Sequence, residues 1–225
     1  LSPEDWVECN IFSYLIRTLH CGGYTKYLSM YLNRQYGVPY DEFYLTLQQK
    51  FQTTPNSVLG AIQREIEQAH ILYINDRGSN DPVTFPFWKM SMYGNQTALK
   101  IPPYIYSTNA LPWIWINSKI EEAYAEIKSI ISINFSEYFD ECLIDLLRFQ
   151  QDTMITIEYD GKGLTKEYEY DWYNYFFNKA PLNHRNINIS FNDTGLGPNN
   201  VPFISGNPRV FLEATLGPML GFFGY

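Results

Sequence analysis

The sequence is poor in cysteine and in positive charge, has no long apolar run, and carries none of the common catalytic signatures. Its three cysteines, Cys9, Cys21 and Cys142, are odd in number and widely spaced. That excludes a disulfide framework and points to a reducing, cytoplasmic setting. Lys and Arg number 16 against 24 Asp and Glu, a net charge of -8. No basic stripe is visible, which excludes a nucleic-acid binder held by phosphate attraction. No apolar run approaches the ~18 residues that a membrane span requires. The N-terminus has no basic-then-apolar layout of a signal peptide. There is no Gly-x-Gly-x-x-Gly, no Gly-x-Ser-x-Gly elbow and no His-Glu-x-x-His helix, and Gly195-x-Gly197-Pro198 lies in a polar stretch with no helix start behind it.

Aromatic residues are abundant instead. They make up 17% of the 225 residues, with 19 Tyr and 15 Phe, while charged residues are 18%. The length and the 45% hydrophobic content allow a substantial core. The chain opens on a helix announced at both ends: Ser2 as N-cap, Pro3 at the first helical position, Glu4 and Asp5 in the first turn, and Gly22-Gly23 as the stop. With no methionine or leader before it, this start predicts a piece of a longer polypeptide whose chemistry lies upstream.

Apolar spacing predicts further helices over 24–36, 40–51, 54–73, 113–134 and 136–151, the last capped by Ser136. Between them, the stretch 82–112 holds five prolines and six large aromatics, which forbids a long helix and predicts an ordered loop over the helices. After Asp152 the texture changes. Alternation over 153–159 and 165–170 around Asp160-Gly161 predicts a hairpin, and 186–191 a third strand. The expected fold class is α+β, predominantly helical: a helical body over 1–152 containing the 82–112 loop, and a small antiparallel β-rich subdomain with a C-terminal tail over 153–225.

Candidate chemistry is thin. Cys9, His20 and Cys21 are metal-ligand types, but eleven residues of straight helix hold Cys9 and His20 ~16 Å apart, too far to share an ion. A cysteine nucleophile paired with His20 or His184 has no local support. Glu167, Glu169 and Asp171 share one strand face and could bind a hard cation in a hydrolase, although a half-solvated sheet has the same pattern. No catalytic residue and no metal ligand is assigned. The candidates for contact with a substrate or partner are aromatic: Trp88, Tyr93, Tyr104, Tyr106, Trp172 and Tyr175.

The run Asp5-Trp6-Val7-Glu8-Cys9, then Phe12-Ser13-Tyr14, His20-Cys21-Gly22-Gly23-Tyr24, Tyr27-Leu28 and Tyr31-Leu32, resembles the segment after the barrel of large radical S-adenosylmethionine proteins that carry an N-terminal cobalamin-binding domain. Tyr36-Gly37-Val38, Tyr40 to Tyr44, Leu147 to Gln150 and Tyr168 to Phe176 fit the same pattern. The family's Cys-x3-Cys-x2-Cys cluster motif and Asp-x-His-x-x-Gly cobalamin motif are absent here, so none of its cofactor ligands carries over. The resemblance implies a C-terminal accessory or substrate-side domain, not catalytic by itself, of a bacterial cobalamin-dependent enzyme, such as a methyltransferase acting on a saccharide or another secondary metabolite. The [4Fe–4S] cluster, S-adenosylmethionine and cobalamin would belong to the parent, and the partners would be the upstream domains of the same polypeptide and a small-molecule substrate. The alternative is a stand-alone module binding a saccharide or a protein through an aromatic surface. In the first reading, helix 1 packs on Tyr27 and Tyr31 on one flank and offers an apolar patch around Trp6 and Phe12 to the missing domain.

Overall fold

The computed structural model describes residues 2–75, 83–84, 100–101, 116, 119–154 and 164–191. Six helices longer than ten residues are found there: α1 (Pro3–Leu15), α2 (Lys26–Tyr36), α3 (Tyr40–Thr53), α4 (Val58–Asn75), α5 (Ile120–Asn134) and α6 (Glu141–Asp152). A short helix α7 (Trp172–Phe177) joins two strands. The strands are β1 (Val83–Thr84), β2 (Lys100–Ile101), β3 (Leu164–Tyr170) and β4 (His184–Phe191), paired antiparallel as β1–β2 and β3–β4. The fold is α+β with helices dominant, as the sequence predicts.

The predicted start of α1 is observed in full. Asp5 N–H donates to Ser2 Oγ at 3.1 Å and Ser2 N–H donates to Asp5 Oδ2 at 2.9 Å, a reciprocal capping box. The helix does not run straight to Gly22, however. Ile16–Cys21 is π-helical, and Gly22 N–H reaches back five residues to the Arg17 carbonyl at 2.9 Å. Two glycines make the exit possible. A Cβ on Gly22 would sit 2.3 Å from the Thr18 carbonyl oxygen, and Gly23 has φ +93°.

α1 packs chiefly on α3 and α4 rather than on α2. Its neighbours are therefore not the expected Tyr27 and Tyr31, which face α6 and α7 instead. Trp6 and Phe12 are partly buried against the core, while Val7, Ile11, Tyr14 and Leu15 are buried in it.

The start of α6 also differs from expectation. Residues Ser136–Tyr138 form one 3-10 turn, and Asp140 is the cap, accepting from Leu143 N–H at 2.8 Å. An aspartate in extended backbone directly before the apolar run outcompetes the serine four residues earlier, whose side chain caps nothing. In the C-terminal part, Thr153 and Met154 finish α6 instead of opening a strand, and 155–163 lie outside the described residues. The described partner of β3 is β4, in register Leu164↔Phe191 to Tyr168↔Ile187, with an irregularity before Tyr170↔His184. β3 lies against α6, and Tyr168, Trp172 and Ile189 belong to the same hydrophobic core as the helices. The 82–112 loop falls outside the described residues except for β1 and β2.

The centre of the fold is aromatic. Tyr27, Phe149, Tyr168, Trp172 and Phe176 meet with ring centroids 4.7 to 6.4 Å apart. Two buried polar groups fasten it. Asp145 accepts from Trp172 Nε1 at 2.8 Å, Glu169 N–H at 3.2 Å and Arg148 at 2.6 Å, fixing α6 to β3 and α7. Gln150, fully buried, accepts from Tyr27 N–H at 2.7 Å and donates to the Gly23 carbonyl, tying α6 to the turn before α2.

Replacing Gln150 by Ala strands both backbone groups in the interior. A buried group left unpaired costs about 1–3 kcal/mol, so the expected loss is about 3 kcal/mol, read as a lower urea midpoint at unchanged slope. A midpoint that does not move would show that the turn holds itself.

Candidate functional site

The π-helical turn delivers His20 to a polar cluster between α2 and α3. His20 Nδ1 lies 2.9 Å from the Tyr44 hydroxyl and 3.3 Å from Ser29 Oγ. Tyr44 is also 3.2 Å from Thr25 Oγ1 and from Ser29 Oγ. The rings of Tyr40 and Tyr44 meet the imidazole edge-on, with centroids at 5.8 and 5.7 Å.

The protons can be counted. Ser29 donates to the Lys26 carbonyl at 2.9 Å and Thr25 donates to the Leu19 carbonyl at 3.2 Å, so both of those hydroxyl protons go to the backbone. Tyr44 then satisfies Ser29 or Thr25 with its own proton, and the imidazole donates from Nδ1 to the Tyr44 oxygen. The reverse assignment makes one bond fewer. His20 Nε2 is left with its lone pair and no hydrogen-bond partner among the described residues. Burial, with the ammonium of Lys26 second, holds the imidazole below its ordinary value, so it stays neutral at physiological pH. Such a group can accept a proton or a hydrogen bond from a ligand.

A second carboxylate site is filled by the protein itself. Glu126, on α5, accepts from Ser57 Oγ at 2.5 Å and from Leu59 N–H at 3.0 Å, so it caps α4 from a neighbouring helix. Burial raises its carboxyl above the usual range, against the pull of these donors. A cleft of about 260 Å³ opens beside it.

A larger groove, of about 440 Å³, runs between α1, α3 and α4. Its floor is Val7, Ile11 and Ile71, and its rims carry Glu4, Glu8 and Glu67. The wall from α3 includes Gln48.

The sequence candidates fare as follows. Trp172 is fully buried and Tyr175 is 5% exposed, with its hydroxyl accepting from Gln35 Nε2 at 2.9 Å, so neither ring faces solvent. Trp88, Tyr93, Tyr104 and Tyr106 lie outside the described residues. Glu167 and Glu169 are exposed on β3, whereas Asp171 leaves the strand face: it is buried, caps α7 through Asn174, and pairs with Arg185 at 2.6 Å. Cys9 and Cys21 are exposed, and Cys142 is buried, accepting from the Tyr31 hydroxyl at 3.3 Å. Among the described residues no three His, Cys, Asp or Glu converge on a common point. The His20–Tyr44 pairing was invisible in sequence, because it depends on two helices crossing, and only the Gly22-Gly23 stop hinted at an unusual helix end.

His70 is the other shielded imidazole. It is buried, donates Nδ1–H to the Ile66 carbonyl at 2.7 Å and meets the Trp6 ring at 5.2 Å, and burial likewise lowers its pKa. Both histidines take up a proton more readily in the unfolded chain. Their contribution to stability is therefore complete above the unfolded value of about 6.5 and is lost as pH falls from there through the lower folded values. The stability difference between the native chain and a His20→Asn, His70→Gln double variant should shift in favour of the variant between about pH 7.5 and 5.5. Urea unfolding at both values measures it, and a difference that stays constant refutes the assignment.

No protein-family model matches the chain. It is 30% identical over 226 residues to the 2-(S-pantetheinyl)-carbapenam-3-carboxylate methyltransferase of Streptantibioticus cattleyicolor, a match covering 97% of this chain and 32% of that protein. It is 29% identical over 223 residues to the cobalamin-dependent radical SAM methyltransferase TokK of Streptomyces tokunonensis, covering 96% of this chain and 32% of the relative. The chain spans about a third of the length of the curated relatives it matches. Over that third, it corresponds to the C-terminal region of cobalamin-dependent radical S-adenosylmethionine proteins.

Proposed function

We propose that this chain is an accessory, substrate-side domain of a cobalamin-dependent radical S-adenosylmethionine methyltransferase acting on a small molecule. The iron–sulfur cluster, S-adenosylmethionine and cobalamin are held by other parts of the same polypeptide. The observation that carries this reading is the match along 97% of the chain to a methyltransferase about three times its length. The thiol positions support it from the other side. Cys9, Cys21 and Cys142 lack the Cys-x3-Cys-x2-Cys spacing, and the Cys142 thiol is already engaged by Tyr31. The substrate of the first relative, by its name, is a carbapenam carboxylate, which sets the scale of the molecule as small.

On this reading the Pro-rich segment between α4 and α5 supplies the aromatic contacts through Trp88, Tyr93, Tyr104 and Tyr106, since flat rings bury much area at low entropic cost. Trp172 and Tyr175 hold the core instead.

The full reading frame provides the test. In the full-length protein a Trp88→Ala, Tyr104→Ala variant should keep its iron–sulfur and cobalamin absorption while KM for the methyl acceptor rises about 10-fold or more, the loss of one or two well-packed aromatic contacts. The 225-residue chain alone should bind none of the three cofactors. Micromolar binding of the cluster, cobalamin or S-adenosylmethionine to it would overturn the reading.

A further inference from the structure

The polar cluster around His20 is complete on one side of the ring only. Nδ1 bonds the Tyr44 hydroxyl at 2.9 Å, so Nε2 lies on the far edge of the imidazole with its lone pair unused among the described residues. The surroundings are open. His20 and Lys26 are half-buried, Cys21 is exposed, and Tyr40, whose ring meets the imidazole edge-on at 5.8 Å, is 40% exposed.

Lys26 is a separate observation. It is the first residue of α2, its carbonyl accepts from Ser29 Oγ, and its ammonium lies close enough to act on the imidazole. Among the described residues it makes no salt bridge, and the group that acts on it in turn is the Cys21 thiol. The chain has 24 acidic residues against 16 basic ones, and Arg148 and Arg185 each meet a carboxylate at 2.6 Å. A cation half withdrawn from water with no acid beside it runs against that pattern, because a charge taken from water costs free energy until a counter-charge joins it. The groups facing the imidazole are Tyr40 and Tyr44 from α3, and Lys26 and Ser29 from α2. Cys21, next in the chain, acts on both Lys26 and Tyr44. No carboxylate is among them. Burial holds both His20 and Lys26 below their ordinary values, so an anion placed between them favours the charged form of each.

We propose that His20 and Lys26 form a binding site for a small oxyanion, held by the ammonium on one side and by an Nε2–H on the other. The proton comes from water as the anion binds. Nε2 gains it, Nδ1 keeps its own on the Tyr44 oxygen, and the anion offsets the ammonium that otherwise keeps the imidazole neutral. No bond between heavy atoms forms or breaks. The site uses residues of this chain alone and stands apart from its reading as part of a methyltransferase.

The test uses the 225-residue chain with 15N-labelled histidine, whose three imidazoles, His20, His70 and His184, are told apart by single substitutions. Acetate and sulfate are titrated at constant ionic strength, with chloride as the balancing ion. At least one should saturate, and the tighter of the two identifies the group as planar carboxylate or tetrahedral oxyanion. At saturation the His20 Nε2 signal should move from its unprotonated to its imidazolium position. Lys26→Gln should weaken binding about 10-fold or more, the scale of a charge-assisted hydrogen bond. Lys128→Gln, the same charge change at an exposed position of α5, should alter it less than about 2-fold. Affinity should fall by up to about 10-fold from about pH 6.5 to 7.5, the slope of one coupled proton, and His20→Asn should flatten that slope. An Nε2 that stays unprotonated at saturating anion overturns the proposal. So does equal weakening by the two lysine variants, the absence of saturation by either anion, or the same response to chloride alone, which would reduce the effect to screening.

Discussion

The Gln150 amide is the contact on which the rest of the arrangement hangs. It is reached from α6, yet what it satisfies lies in the turn after the π-helical segment and in the first turn of α2: the Gly23 carbonyl and the Tyr27 N–H. The Tyr27 N–H is one of the first-turn amides that a helix start leaves without a partner, and the Gly23 carbonyl belongs to the irregular backbone between the two helices. The Tyr124 hydroxyl, from α5, meets the same place, donating within reach of the Tyr24 carbonyl at 2.9 Å and the Gln150 carbonyl at 3.2 Å. Three helices therefore converge on one irregular turn. That turn sets where α2 begins relative to the π-helical exit of α1, and so where His20 stands over Tyr44. The polar cluster around His20 is a consequence of how α5 and α6 hold the backbone some residues away.

Asp145 does for the C-terminal part what Gln150 does for the N-terminal part. A carboxylate 5% exposed is expensive to bury, and here its oxygens are taken by an indole, a backbone amide and a guanidinium. The aromatic cluster closes around this anchor, with Phe149 and Phe176 nearly parallel at 9° and Tyr27 tilted against both. Arg34 lies over Tyr175 and Phe176 at 5.6 and 5.9 Å, so one of the chain's few cations is used on ring faces. The abundance of Tyr in the composition is therefore largely a packing solution. Ring stacking fills the core, and hydroxyls such as those of Tyr31 and Tyr124 reach buried acceptors that an aliphatic side chain would leave unpaired.

Much of the helical layout was legible because it is written in local chemistry. The Ser2–Asp5 box, Gly37 after α2 and the apolar spacing of α3 each act within a few residues. What escaped was decided at a distance or between close rivals. The π-helix was hidden because Leu15 and Leu19 look inward in either helix type, and one extra residue per turn leaves no mark on an apolar pattern. Ser136 and Asp140 are both acceptable caps, and only the downstream backbone chose between them. The hairpin signalled by Asp160-Gly161 lies on residues outside the described ones, and the described ladder joins β3 to the strand expected over 186–191, a pairing across α7 that local signals do not announce. Trp172 and Tyr175 illustrate the limit for sites: a count of rings says nothing about which of them face inward. Gln150 and Asp145 read as ordinary polar helix positions, and nothing in their immediate neighbours announces burial.

The residues that carried the family resemblance turn out to be mostly interior ones. Tyr27, Leu28, Tyr31 and Leu32, then Tyr168 and Trp172 to Phe176 bar Asn174, are core residues of this chain. A motif made of core residues reports how a region packs, not what it reacts with. That is consistent with a correspondence to one third of a methyltransferase in which the recognisable cofactor motifs are not among the residues compared. Buried polar groups fall into two sets. At Asp145 and Gln150 the partners are present and well placed. Tyr14 Oη, Thr18 Oγ1, Gln48 Oε1 and Gln63 Oε1, on α1, its π-helical extension, α3 and α4, have none among the described residues, so the interior is fastened more tightly at α6 than between α1, α3 and α4.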